Sequence, residues 1–452
     1  MPHKIKIRKG LNIPIKGKAE KFLNKSQYEG SLFALRPTDF PSFTPKSLFK
    51  EGDKVKAGEA IFFNKNKPSI KLSSPVSGTL KSIIRGERRK ILEFVIEPEA
   101  NQQYLKFETG NLNELSREKV IELLLESGIW PFIRQRPYDV IANPEDMPKA
   151  IFVSAFDSSP LAPDYDFILN GQEKDFQTGI DALKKLTEGP IHLTVNGAYR
   201  TNKVFSAIKG VELNTITGPH PAGNVGIQIH HIDPINKGEI VWHINPQDIL
   251  IIGRLFNHGI FDASKIIALT GSEIKKPQYY KAKVGVSIEY MLRDNINSSE
   301  NLRYISGNVL SGIQIVSDGF LGFYHNQVSV IPEGDDYEFL GWILPGLKKF
   351  SVSRSFFSWL MPGKEFKMNA NLHGGKRPFV FTEEYDKVLP MDILPVHLLK
   401  SVMIEDIDQM EALGIYEVGE DDFALCEFVC TSKIPVQETL RKGFDLMIKE
   451  TS

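Results

Sequence analysis

From 117 to 253 the chain alternates helix-spaced apolar residues with short, strongly apolar runs, and this alternation narrows the fold more than any other feature. REKVIELLLESGIW places apolar residues at helical intervals and meets Gly128 near its end. β-like runs follow at 149–156 (KAIFVSAF), 190–197 (PIHLTVNG) and 248–253 (DILIIG), with helical segments such as 175–186 (DFQTGIDALKKL) between them. Strands alternating with helices indicate an α/β layer around a mostly parallel sheet. Such a domain is the natural place for a nucleotide site.

At 452 residues the chain is too long for one core and divides into three or four units. With 55 Lys+Arg against 56 Asp+Glu it advertises no basic face, so nucleic acid is not expected as a partner. Met1 to Lys25 is polar and Lys-rich, unlike a secretory leader. The stretch 304–332 contains Asp318 as its single Asp, Glu, Lys or Arg, but Gly, Ser, Asn and Gln interrupt it and a membrane span is not expected there. Membrane association would come through partners or a surface patch. The two cysteines, Cys426 and Cys430, sit four residues apart, too few for a cluster that normally takes four protein ligands. A disulfide scaffold is equally unexpected, and a reducing cytoplasm fits.

The segment 49–96 has its own beat. Gly52-Asp53, Gly58, Pro75 and Gly78 punctuate short β runs at the intervals of a small flattened barrel. It resembles the biotinyl/lipoyl type of domain, whose carriers modify a lysine at a hairpin tip. Here the tip reads Asn64-Lys65-Asn66-Lys67-Pro68, without flanking Met, so Lys65 and Lys67 read as an exposed basic turn. The expected division is 1–100 for an N-terminal segment with this β domain, and 101–257 for a Rossmann-like α/β domain. A β-grasp-like (SLBB) module follows at 258–330, β segments and a linker at 331–375, and a C-terminal helical region at 376–452. Two β segments are expected in and after the module, at 320–332 and 335–346.

Phosphate-binding motifs are missing. No two glycines are separated by one residue, and where they stand five apart, as at Gly218 and Gly223, no lysine follows. The run GPHPAGNVGIQIHHIDPI (218–235) carries His220, His230, His231 and Asp233, with His243 shortly after. Read as a strand, it sends His230 and His231 to opposite faces, which disfavours one shared metal. Two Pro-rich loops, 34–45 (ALRPTDFPSFTP) and 130–139 (WPFIRQRPYD), set flat rings beside guanidinium groups. That chemistry suits a quinone headgroup or a partner interface, with ordinary domain packing as the alternative. The candidate contacts are Arg36, Phe40, Trp130, Phe132, Arg134 and Arg136. FSVSRSFFSWLMPG (350–363) reads as an amphipathic docking patch or a buried strand. No nucleophile stands in a recognisable elbow, so no catalytic residues are expected.

Taken in order, KIKIRKGLNIPIKG, GPHPAGNVGIQIHHIDPI, VWHINPQDILIIGRLF, ALTGSEIKKPQY, RYISGNVLSG, PEGDDYEFLGWILPG and GEDDFALCEFVCTSK span nearly the whole chain. They resemble the A subunits of the bacterial Na+-translocating NADH:quinone oxidoreductases, a family related to the C subunits of Rnf electron-transport complexes and to the NADH/FMN-binding subunit of respiratory complex I. The resemblance implies a peripheral component at the cytoplasmic face of the bacterial inner membrane, working with five other subunits, membrane subunits among them. The complex reduces quinone with electrons from NADH through flavins and iron–sulfur centres, coupled to Na+ export. This component itself is expected to bind no redox cofactor and no metal, and to contribute to quinone access or binding and to assembly. The electron-input relatives carry a glycine-rich stretch where this chain reads Ser127 to Arg134, and a cysteine cluster where only Cys426 and Cys430 remain. The rival readings are a scaffold with no ligand site and an Rnf-type electron-input subunit.

Overall fold

The computed structural model describes residues 3–24, 28, 31–199, 203–297, 301–334, 338–341 and 343–451. Its α/β layer is a seven-stranded sheet in the order Lys4–Lys6, Glu212–Thr217, Ile191–Asn196, Ala150–Ser154, Val241–His243, Arg134–Arg136, Val140–Ile141. The first five strands run parallel and the last two pair antiparallel at the edge. The central strands are buried on both faces, as a parallel sheet covered by helices requires. The helices Glu173–Lys184 and Pro246–His258 pack so closely that a Cβ on Gly179 would lie 2.3 Å from the Ile249 carbonyl oxygen. On Gly253 it would lie 1.8 Å from that of Asp175, so glycine is what lets the two backbones cross.

One element reverses expectation. Residues 248–253, expected as a strand, lie inside the helix Pro246–His258. Asn245 caps that helix by accepting from the Gln247 amide, Pro246 occupies its first turn, and Gly259 ends it at φ +63°. A six-residue apolar run fits a buried strand or a buried helix equally, and the caps decide between them. The histidine pair differs in the same way, because His230 and His231 lie on the helix Val225–Ile232.

The barrel-like unit is built from a four-stranded and a three-stranded sheet over 33–98, with Phe62 and Phe94 stacked at 4.5 Å in its interior. Lys65 and Lys67 sit exposed at the hairpin between Ala60–Asn64 and Lys67–Ser73. A six-stranded sheet with the short helix Glu289–Leu292 forms the third unit, and Leu23–Asn24 adds its edge strand. The β segment at 320–332 is present as Gln327–Pro332. Of the segment expected at 335–346, residues 335–337 and 342 lie outside the described residues, and the others form turns, not a strand. Phe357–Leu360 is a 3-10 turn with exposed rings, so the buried-strand alternative for 350–363 fails. The C-terminal helices, from Glu384–Val388 to Val436–Thr451, share an apolar core with Ile7, Ile13 and Ile216.

Residues 3–17 act as a strap along the molecule. Lys4–Lys6 pairs with the strand Glu212–Thr217, and the Leu11 amide donates to the His220 carbonyl at 2.8 Å. The Gly10 amide donates to the Lys387 carbonyl at 3.0 Å, and the Gly17 carbonyl accepts from the Gly271 amide at 2.9 Å.

Candidate functional site

The strands Ala150–Ser154 and Val241–His243 are neighbours, yet the chain leaves the first toward one side of the sheet and returns to the other. Winding therefore reverses between them. In open α/β sheets ligands bind outside the carboxyl ends of the strands at this switch point. A cavity of about 190 Å³ lies there, lined by Ser154 and His243 from the two strand ends and by Asn224 and Asn245 from the starts of two helices.

One wall is aromatic and cationic. Phe132 and Arg134 line it with Tyr324. The Arg134 guanidinium lies 4.7 Å over the Tyr324 ring and is ion-paired with Asp139, while Phe132 stacks on Phe323 at 4.3 Å. Phe40 reaches the same pair of rings, 4.8 Å from Phe323 and 5.7 Å from Tyr324. Arg36 pairs with Asp39 at 3.1 Å, and Asp39 accepts from the Phe323 amide at 2.9 Å. The two Pro-rich loops therefore meet, and the residues that join them are Phe323 and Tyr324. Their run, FLGFYHN, reads in the sequence as β segment, and only the aromatic pair beside His325 could have flagged it.

The six sequence candidates divide. Phe132 and Arg134 line the cavity, whereas Arg36, Phe40, Trp130 and Arg136 stand behind it. Trp130 is wholly buried, donates its indole N–H to the Ala142 carbonyl at 2.8 Å and packs edge-on against Trp242. Arg136 is 1% exposed and reaches Asp421 at 3.0 Å, Asp422 at 3.2 Å and Asp139 at 3.7 Å. It ties the α/β sheet to the C-terminal helices.

The opposite wall is polar. Asp157, Ser159, Tyr165, His220 and Asp248 face the cavity. Asn245 donates to the Tyr165 hydroxyl at 2.6 Å, and Asp248 is locked to buried Lys265 at 2.6 Å. Burial raises the Asp248 carboxyl, with Lys265 opposing it. Burial also pushes the His220 ring down to about 4 and lowers His243, which shares a 2.8 Å hydrogen bond with Asp139. Both rings are neutral at pH 7. Ser158 and His220 are hydrogen-bonded at 3.0 Å, a pairing that 62 residues of separation hid in the sequence. The Ser158 oxygen also accepts from the Gly223 amide, and a ring with so low a pKa is a weak proton acceptor. The Ser159 hydroxyl is buried on the cavity wall beside the Asp157 carboxyl, whose ionised form it favours against the upward push of burial.

His230 and His231 take structural partners: His230 bonds Glu417 at 2.8 Å, and His231 donates to the Pro390 carbonyl at 2.9 Å. Cys426 lies inside the helix Ala424–Val429 and Cys430 just beyond it, both buried in the C-terminal core. Burial lifts the Cys426 thiol well above the usual range. Among the described residues no group of three or more His, Cys, Asp or Glu could hold a metal ion, and no helix is long and apolar enough to cross a membrane.

Family models match three successive parts of the chain: the NqrA N-terminal barrel-sandwich hybrid domain over 5–99, the NqrA second alpha/beta domain over 115–261, and the NQRA C-terminal domain over 266–317. The A subunit of the Na(+)-translocating NADH-quinone reductase from Yersinia pestis bv. Antiqua (strain Angola) is 37% identical over 440 residues, 97% of this chain and 98% of the relative. The chain belongs to this NqrA family. The corresponding protein of Neisseria meningitidis serogroup B (strain ATCC BAA-335 / MC58) is also 37% identical, over 99% of this chain and the whole relative. The barrel-sandwich, α/β and SLBB-like units of the NqrA family thus follow one another here in the expected order. A chain of the solved NAD+-reducing [NiFe]-hydrogenase in the H2-reduced state is similar at 11% identity and a TM-score of 0.39, covering 74% of this chain and 61% of that one. That likeness is too distant to carry an argument.

Proposed function

We propose that this chain is a peripheral, cytoplasmic-face subunit of a Na+-translocating NADH:quinone reductase, that it holds no redox centre of its own, and that its switch-point cavity receives a quinone headgroup. Five further subunits would supply the membrane path, the flavins and the iron–sulfur centres. The observation that carries the reading is the wall of Phe132, Tyr324 and Arg134 facing polar groups across about 190 Å³. Pockets for drug-sized ligands run from roughly 300 Å³ upward, so this volume suits a single ring better than a dinucleotide. Flat rings offer stacking, while the Arg134 guanidinium offers donors to ring carbonyls.

Equilibrium binding of a short-chain quinone analogue to the purified chain tests this. Saturable binding that weakens about tenfold in Phe132→Ala supports it. The competing scaffold reading draws on Trp130, Arg36 and Arg136 being occupied with packing and ion pairs. Absence of any saturable site would establish the scaffold instead. An absorbance spectrum of the purified chain separates both from an electron-input role, since bound flavin or a cluster would colour it.

A further inference from the structure

Between the third unit and the C-terminal helices lies a segment whose apolar side chains stay outside every core. Phe339 is 90% exposed, Ile343 65%, Leu360 60%, Phe357 56% and Trp359 53%, and Leu344 is similar. Monomer surfaces rarely gather so many large apolar groups in so short a stretch without a surface to meet.

The segment is built, not loose. The Phe357 amide donates to the Pro345 carbonyl at 2.9 Å, the Ser358 hydroxyl bonds the Lys349 carbonyl, and Lys364 donates to the Leu347 carbonyl at 2.8 Å. These bonds draw 344–349 and 357–364 together as the two limbs of one loop. Its base is tied down by buried Phe366, which exchanges 2.8 and 3.0 Å hydrogen bonds with Pro14 and Lys16 of the strap. The exposed side chains of Phe357, Trp359 and Leu360 are therefore presented by a limb that stands on a fixed base.

Charge identifies the occupant. The loop 339–361 carries Lys348, Lys349 and Arg354 and no Asp or Glu, in a chain whose formal net charge is −1. Lys348 on the first limb and Arg354 in the turn between the limbs are exposed. A folded protein partner would be met by matched polar groups. Trp, Phe and Leu mixed with an excess of Lys and Arg is instead the composition of elements that lie in the interface of an anionic bilayer.

We propose that the loop 339–361 seats directly on an anionic lipid surface, its rings entering the headgroup region and its basic residues facing lipid phosphates. This does not depend on the quinone reading. Its one helical piece is the four-residue 3-10 turn Phe357–Leu360, so the segment lies in the interface without spanning it, and the contact is reversible and salt-sensitive.

Cosedimentation of the full chain with vesicles tests it, using phosphatidylcholine alone and phosphatidylcholine with one-third phosphatidylglycerol. Binding is expected to the anionic vesicles, to fall about tenfold between 50 and 500 mM salt, and to fall as far in Phe357→Ser/Trp359→Ser/Leu360→Ser. These side chains are exposed, and an unchanged melting temperature verifies that the variant folds. In a Trp342→Phe background, Trp359 fluorescence should be quenched by brominated lipid, because Trp130 and Trp242 are buried. Equal binding to neutral and anionic vesicles overturns the proposal. So does binding unchanged in the triple variant, or no vesicle binding with capture only by purified membrane subunits.

Discussion

Replacing Arg136 by Met is the sharpest test of how the α/β sheet is joined to the C-terminal helices. The guanidinium is 1% exposed and has Asp421, Asp422 and Asp139 within 3.0 to 3.7 Å. Met fills much of the volume but leaves Asp422 buried without its cation. Breaking a buried ion pair from one side costs about 3–5 kcal/mol. At about 2–4 °C per kcal/mol for domains of this size, the melting temperature should fall by roughly 6–20 °C. The loss should also depend on pH. Burial pushes the Asp422 carboxyl up to about 7, with Asp421 adding to the rise and Arg136 opposing it. A folded-state pKa above the unfolded value means that stability is fully present below about pH 4 and is lost as pH rises toward 7. Without Arg136 that pKa climbs further, so the deficit should be larger at pH 8, where the wild-type carboxylate is ionised and paired, than at pH 5.5. Thermal unfolding followed by near-UV circular dichroism at the two pH values measures it. The double variant Arg136→Met/Asp422→Asn should recover part of the loss. A fall of under 2 °C, or a deficit that does not grow with pH, would refute the reasoning.

Gly419→Ala should mimic the same damage, because a Cβ there would lie 1.8 Å from an Arg136 guanidinium nitrogen that three carboxylates hold in place; a melting temperature within 2 °C of wild type would show that the guanidinium yields freely. Burial depresses His220 to about 4 and His325 to about 3, so the unfolded chain binds more protons between these values and about pH 6.5. Stability should therefore fall on acidification through that window, by about 1.4 kcal/mol per pH unit for each ring, and His325→Gln should flatten the decline measured by urea unfolding. Cys426→Ser/Cys430→Ser places two hydroxyls in an apolar core and should lower stability by about 1–3 kcal/mol while leaving electron transfer in the assembled complex nearly intact. Loss of an iron-dependent signal in that variant would contradict the proposal that this subunit holds no redox centre.

The alternation of strands and helices was legible because 149–156 and 190–197 announce themselves by β-branched and aromatic content. The run 248–253 misled, since its apolar residues have no period in so short a window, and the decisive signals sat outside it at Asn245, Pro246 and Gly259. His230 and His231 misled for the same reason. The aromatic–cationic loops were readable as chemistry, but not as geometry. That Phe132 and Arg134 face the cavity while Trp130 and Arg136 turn away depends on Phe323 and Tyr324, nearly 200 residues downstream, and no local pattern encodes that contact. Polar pairs such as Ser158 with His220, or Arg136 with Asp422, are likewise products of the tertiary fold.

The strap at 3–17 has a consequence for biosynthesis. Its hydrogen-bond partners include Thr217, His220, Gly271, Phe366 and Lys387. At ribosomal rates of about 5–20 residues per second, roughly 20–75 s separate the emergence of Gly10 from that of Lys387. Until Val241–His243 emerges, an edge strand has left the ribosome while the sheet it completes is unfinished, and for the rest of the interval Gly10 and Lys16 still lack their C-terminal partners. The barrel at 33–98 can close behind it and the strap can pair with 215–220, but its bonds to Phe366 and Lys387 form only when the C-terminal part arrives. Closure of the strap is therefore completed by the last hundred residues, and ribosome-stalled fragments ending before 366 should leave residues 10–16 more open to proteases than the finished chain.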